Sequence, residues 1–220
     1  MPREETILIY KFDELSDEAK EKARSWYREH GFNYEWWDFV YDYIAECADT
    51  IGIDLRTREW TDREGEKHYD GINILFSGFS SQGDGACFNG TYQYKKGSLA
   101  AVKKLARNEE RLHRIAADLQ IVQRRAFYRL KANITPGHLS NRYSHYNTRD
   151  ITVEDAHVEC GHDGMWSQLN EDGIKEALKT FMQWMYRKLE ESWNDINSDE
   201  SVDDTIQANE YEFHENGTRA

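Results

Sequence analysis

The chain has 220 residues, 31% of them charged and 13% aromatic, and a formal net charge of −13. That length is enough for one domain or two small ones, with a core hiding roughly 70% of the surface an unfolded chain exposes. Seven Trp and 13 Tyr exclude a disordered chain, two prolines exclude a Pro-rich linker, and no apolar run approaches the roughly 18 residues of a membrane span.

In chain order, Ile7–Phe12 alternates weakly and predicts an edge strand. Ser16 is a good N-cap, because its hydroxyl accepts from a free first-turn amide, and Asp17 and Glu18 suit the helix dipole. The helix runs to about His30 and stops at Gly31. Asn33 is the expected cap of a second helix, which places Trp37, Val40, Tyr41, Ile44, Ala48 and Ile51 on one face and ends at Gly52. Strands are predicted over Ile53–Trp60, near Tyr69–Phe76 and over Ala86–Tyr94, with a turn at Asp62-Arg63-Glu64-Gly65. A long helix is expected over Arg107–Lys131, preceded by a short one from Ser98. Two strands follow, near Leu139–Tyr146 and Ile151–Glu159. The next helix spans Glu171–Trp193, with Ile174, Leu178, Phe181, Met185 and Leu189 on its core face. Ser198 opens a last short helix, and Tyr211-Glu212-Phe213 with Asn216-Gly217 makes a closing strand and turn. The order predicts an α+β fold in a single domain over residues 1–220. Its antiparallel sheet has about five strands, with helices packed mainly on one face.

The N-terminal Met1-Pro2-Arg3-Glu4-Glu5 is charged and leads into only four apolar residues, which is no signal peptide. Cys47, Cys87 and Cys160 are too few for a disulfide framework. A cytoplasmic protein is the expectation. Its charge is uneven. Between Lys95 and Lys131 eleven basic residues face three acids, a local net of +8, whereas Glu190–Asn216 holds ten acids and no Lys or Arg. One reading is internal pairing among packed helices; the other is two faces of opposite sign, each offered to a partner. A net acidic surface repels a phosphate backbone, so direct nucleic-acid binding is not expected, although Arg107, Arg111, Arg114, Arg125 and Arg129 form a stripe that would serve it if exposed and unpaired.

Two segments hold candidate chemistry. Ser77–Phe88 carries three glycines and several small polar residues between two strands. Glycines let a backbone approach a ligand, and Ser80, Ser81, Gln82 and Asp84 suit a phosphate, ribose or peptide backbone. The run lacks the Gly-Lys-Ser/Thr of a Walker loop and does not open a helix. Its plain alternative is a long hairpin connection. The second segment contains His138, His145, His157 and His162, with Cys160 and Asp163. The spacing of paired zinc ligands is missing, so neither a metal nor any other cofactor is expected. Cys87, next to Phe88 in a strand, reads as an inert buried thiol, and no catalytic residue stands out.

Phe12-Asp13-Glu14-Leu15-Ser16, the Ser77–Phe88 run, His113-Arg114-Ile115-Ala116 with Gln123-Arg124-Arg125, Ser198-Asp199-Glu200 and Ala208–Phe213 together resemble a family of tailed-phage and prophage proteins labelled "antitoxin of toxin–antitoxin stability system". The resemblance spans nearly the whole chain. It implies a phage or prophage origin and a task directed at the bacterial host, and it transfers no residue roles. The expected function is therefore that of a non-enzymatic, acidic interaction protein in the host cytoplasm. It would bind and neutralise a basic host factor, such as a toxin or a nucleic-acid-binding defence complex, through Glu190, Glu191, Asp199, Glu200, Asp203 and Asp204. The alternative is a small-molecule or nucleotide-binding protein, conceivably an enzyme, using Ser80, Ser81, Gln82, Asp84, His138 and His145. Its oligomeric state is left open.

Overall fold

The computed structural model describes residues 7–32, 34–55, 57–140, 144–155 and 164–220. The chain is α+β, with helices and antiparallel sheets that divide between two compact units. The first unit joins the termini, Met1–Asp38 with Glu190–Ala220; the second is Phe39–Leu189. Helix α5 (Gly164–Ile196) contributes residues to both.

In the first unit, β1 (Tyr10–Lys11) pairs antiparallel with β10 (Glu212–Phe213), so the expected strand over Ile7–Phe12 shrinks to two residues. Helix α1 (Asp17–His30) starts at Ser16, whose hydroxyl accepts from the Ala19 amide at 3.3 Å. Gly31 ends it in a right-handed conformation, φ −83°. Glycine is required there by space: a Cβ would lie 2.5 Å from the Tyr27 ring. Helix α6 (Asp199–Ala208) is capped by Ser198, which accepts from the Ser201 amide. Phe12, Leu15, Ala19, Ala23, Tyr27, Val202, Ile206 and Phe213 form this unit's core. Asn33, the expected cap of the second helix, lies outside the described residues.

In the second unit, α2 (Asp38–Ile51, beginning at the boundary residue) buries Val40, Ile44, Cys47, Ala48 and Ile51; of the predicted face, Tyr41 is only half-buried and the half-buried Trp37 precedes the helix. The first expected strand divides into β2 (Ile53–Leu55) and β3 (Thr57–Thr61). The second divides into β4 (Lys67–Ile72) and β5 (Ile74–Ser77), and the third into β6 (Gly85–Phe88) and β7 (Gly90–Gln93). These breaks let the short strands take different partners. β3 pairs with β4, β5 with β6, and β2 and β7 join a four-stranded sheet ordered β2-β7-β8-β9. Among the described residues, the single sheet of about five strands is thus replaced by one of four and three of two.

The basic region forms α3 (Ser98–Leu105) and α4 (Glu110–Arg125). Helix α4 ends six residues before the expected Lys131, and Leu130 begins β8 (Leu130–Pro136). Gln123 explains the stop: its fully buried side chain accepts from Leu130 N at 3.3 Å and donates to Leu130 O at 2.7 Å. Both peptide groups at the strand's start are thereby satisfied. Phe127 and Tyr128 take left-handed conformations, φ 53° and 61°, and turn the chain. β9 (Arg149–Asp155) pairs with β8. The strand expected over Leu139–Tyr146 is absent among the described residues there, where a 3-10 turn (Tyr146–Thr148) precedes β9 instead.

Ile53, Leu55, Tyr92, Ala132 and Ile134 are buried on one face of the four-stranded sheet. The other face carries Asp54, Thr91, Gln93, Lys131, Asn133 and Glu154 along a groove of about 870 Å³. The predicted core face of α5 is fully buried, and its Phe181 meets Phe88 of β6 edge-on at 6.0 Å. Among the described residues no helix is long and apolar enough to cross a membrane.

Candidate functional site

The glycine-rich run forms the β5–β6 hairpin and its connection. Asp84 does not face outward as a ligand-binding group. Its Oδ2 accepts from the Ser80 amide at 2.9 Å and the Ser81 amide at 2.7 Å, closing the loop on itself. Ser80, Ser81 and Gln82 are exposed at the tip. An aromatic strut supports the loop: Phe79 lies between Phe76 (5.7 Å) and Tyr186 (5.5 Å), and the Tyr186 hydroxyl donates to Gly78 O.

Of the two histidines expected beside the loop, only His145 is brought to it. Its ring lies on Gly85, where an added Cβ would come within 2.6 Å of it. His138 is exposed and has no hydrogen bond or ion pair among the described residues. His145 Nδ1 accepts from the Asn147 amide at 3.1 Å, which leaves the proton of the neutral ring on Nε2. Burial pushes its pKa down, so the neutral form is the one held at neutral pH. His157, Cys160, His162 and Asp163 lie outside the described residues.

Beneath the loop is a polar layer that sequence reasoning did not assemble. Register pairs Ser77 with Gly85 and Leu75 with Cys87, so these four share one face of the hairpin. The Cys87 thiol is fully buried and bonded to Thr148 and Arg149; burial raises its pKa against the pull of the Arg149 guanidinium. Arg149 is only 5% exposed and makes no ion pair among the described residues. One terminal nitrogen donates to Thr148 O at 3.3 Å, while its Nε has no partner. Ser77 Oγ and Asn89 Oδ1 are likewise buried and unpartnered. A strand period of two placed Ser77 and Cys87 together in principle; nothing local marked Arg149 as buried.

The expected partner-binding acids divide into two groups. Asp203 takes a two-pronged bond from Arg24 (2.6 and 2.7 Å), and Asp199 accepts from Arg28 at 2.5 Å. The bond to Arg28 holds the Asp199 carboxyl below its ordinary pKa. These two acids dock α6 on α1. Glu191, Glu200 and Asp204 are exposed, and Glu190 is half-buried.

In the basic segment, Lys95 pairs with Asp49 at 2.9 Å, Arg129 with Asp155 at 3.5 Å, and Arg111 donates to Gln183 at 2.7 Å. Lys96, Lys103, Lys104, Arg107, Arg114, Arg124, Arg125 and Lys131 are exposed and form no ion pair among the described residues; Arg114 does not pair even with Asp118, one helical turn away. Internal pairing therefore accounts for little of this charge. Exposed Phe127 and Tyr128 sit among these cations, with Arg129 over the Phe127 ring and Tyr94 against Tyr128 at 4.4 Å.

A family model described as a domain of unknown function, DUF8835, matches residues 36–199. That span includes the whole second unit and leaves most of the first outside it. No curated protein and no solved structure matches the chain.

Proposed function

The chain belongs to the DUF8835 family, and we propose that this member works by binding, using the acidic first unit to hold a basic protein partner. One observation carries the reading. The first unit contains 7 Lys and Arg against 20 Asp and Glu, a formal net charge of −13, whereas the second contains 21 of each and is neutral. The whole net charge of the molecule thus sits in the unit built from its termini. Concentrated like charge of this kind steers and selects an oppositely charged partner more than it stabilises a fold.

Asp199 and Asp203 are engaged by Arg28 and Arg24, and Glu191 has a contact of its own, so the partner-facing set narrows to Glu190, Glu200 and Asp204. The resemblance to the phage family supports a bacterial host's toxin or nucleic-acid-binding defence complex as the partner, met in the cytoplasm.

The test compares the wild-type protein with Glu190→Gln/Glu200→Gln/Asp204→Asn as bait in host lysate, with Asp203→Asn as a structural control. Captured proteins are identified by mass spectrometry and eluted with a salt gradient. A basic protein held by wild type, released by salt and lost with the triple variant is the expected result. Equal capture by wild type and the triple variant would count decisively against this surface.

A further inference from the structure

We infer that the polar layer under the β5–β6 hairpin is a binding site for a small oxyanion, with Arg149 as its anchor. The site lies in the neutral second unit and is independent of the acidic-surface reading. A guanidinium cannot shed its charge, and burying it without an acid is costly unless an anion accompanies it. Arg149 is 5% exposed, pairs with no carboxylate among the described residues, and leaves its Nε unbonded.

The surroundings supply further donors and, among the described residues, no carboxylate paired with Arg149. Ser77 Oγ, buried and unpartnered, lies on the hairpin face that also carries Cys87, and the Cys87 thiol touches Arg149. His145 covers Gly85, Ser77's partner across the hairpin, and its Nε2–H is unspent once Nδ1 accepts from Asn147. Asn89, two residues beyond Cys87, adds a third unsatisfied buried atom; turned about its amide, it presents an N–H₂ instead of an oxygen. Asp84, the carboxylate of the loop, has its Oδ2 bonded to two amides of the loop itself. A fixed guanidinium fork beside a hydroxyl and an imidazole N–H matches the oxygens of a carboxylate or phosphate group.

Inorganic phosphate and acetate are the probes, titrated calorimetrically into the full chain at constant ionic strength, with chloride as the control. The expected result is saturable binding of at least one probe, weakened about tenfold or more by Arg149→Lys, which keeps the charge but loses the fork. Ser77→Ala, a smaller change, weakens it several-fold and guards against a folding failure of the Arg149 variant. No saturable heat with either probe at millimolar concentration overturns the proposal. So does equal binding by wild type and Ser77→Ala together with Arg149→Lys, or a crystal structure grown in phosphate that shows only ordered water on Arg149 Nε and Ser77 Oγ.

Discussion

Glu109 shows how one side chain can serve two elements. Its carboxylate accepts from Lys188 Nζ at 2.8 Å and from Trp184 Nε1 at 2.9 Å, both on α5. Burial is the largest influence on its pKa and raises it, yet the bonds from Lys188 and Trp184 outweigh that and hold it below its ordinary value. A carboxyl with a depressed folded pKa stabilises above its unfolded pKa and loses that contribution as pH falls through the folded value. The second unit is therefore expected to weaken as pH drops below the ordinary Glu value of about 4.3. Glu109→Gln should flatten that part of the stability–pH curve, as followed by urea unfolding at a series of pH values. At neutral pH, Glu109→Ala is expected to cost about 2–3 kcal/mol, because it removes a half-buried ion pair and leaves the Trp184 indole N–H without its acceptor. Cys47 behaves oppositely: burial raises its thiol to about 11, so it stays protonated and unreactive.

At the scale of the element, the ends of α4 and α6 share one device. Tyr211 N donates to Ile206 O and Glu210 N to Gln207 O; Tyr128 N donates to Gln123 O and Phe127 N to Arg124 O. Both are the paired closing bonds of a helix stop that favours glycine at its left-handed position, here occupied by Glu210 (φ 52°) and Phe127 (φ 53°). The Glu210 side chain makes no hydrogen bond or ion pair among the described residues. Glu210→Gly should therefore raise stability by about 0.5–1 kcal/mol, measured by chemical denaturation. Phe127 adds a contact that Glu210 lacks, the guanidinium of Arg129 over its ring at 5.5 Å, which offsets part of the same strain. At the α4–β8 junction, Gln123→Ala leaves two buried peptide groups of Leu130 unpaired. It is expected to cost about 2–4 kcal/mol in the same measurement, whereas the exposed neighbour Arg124→Ala should cost under about 0.5 kcal/mol.

At the scale of the whole molecule, the segregation of charge makes its own prediction. Like charges crowded into the first unit repel one another, and added salt screens them. The melting of that unit, followed through the fluorescence of Trp26, should shift upward by a few degrees between low and moderate NaCl. A downward shift would mean that the Arg24–Asp203 and Arg28–Asp199 bonds outweigh the repulsion. Part of this architecture was legible in the residue order alone: the α+β class, both serine caps, the cores of α2 and α5, and the uneven charge. Each rests on interactions within about four residues, or on the helical period, which a linear reading contains. The helix expected to Lys131 stops early because Gln123 reaches seven residues ahead to bond Leu130, a choice that local pattern does not record. The candidate loop was found by composition, but only the hairpin register and the packing of His145 on Gly85 placed it near Arg149, which is buried and pairs with no acid among the described residues. The same holds for Asp199 and Asp203. Sequence marked them as acidic, and only the packing of α6 on α1 decided that they pair with Arg28 and Arg24, because an ion pair depends on proximity in space.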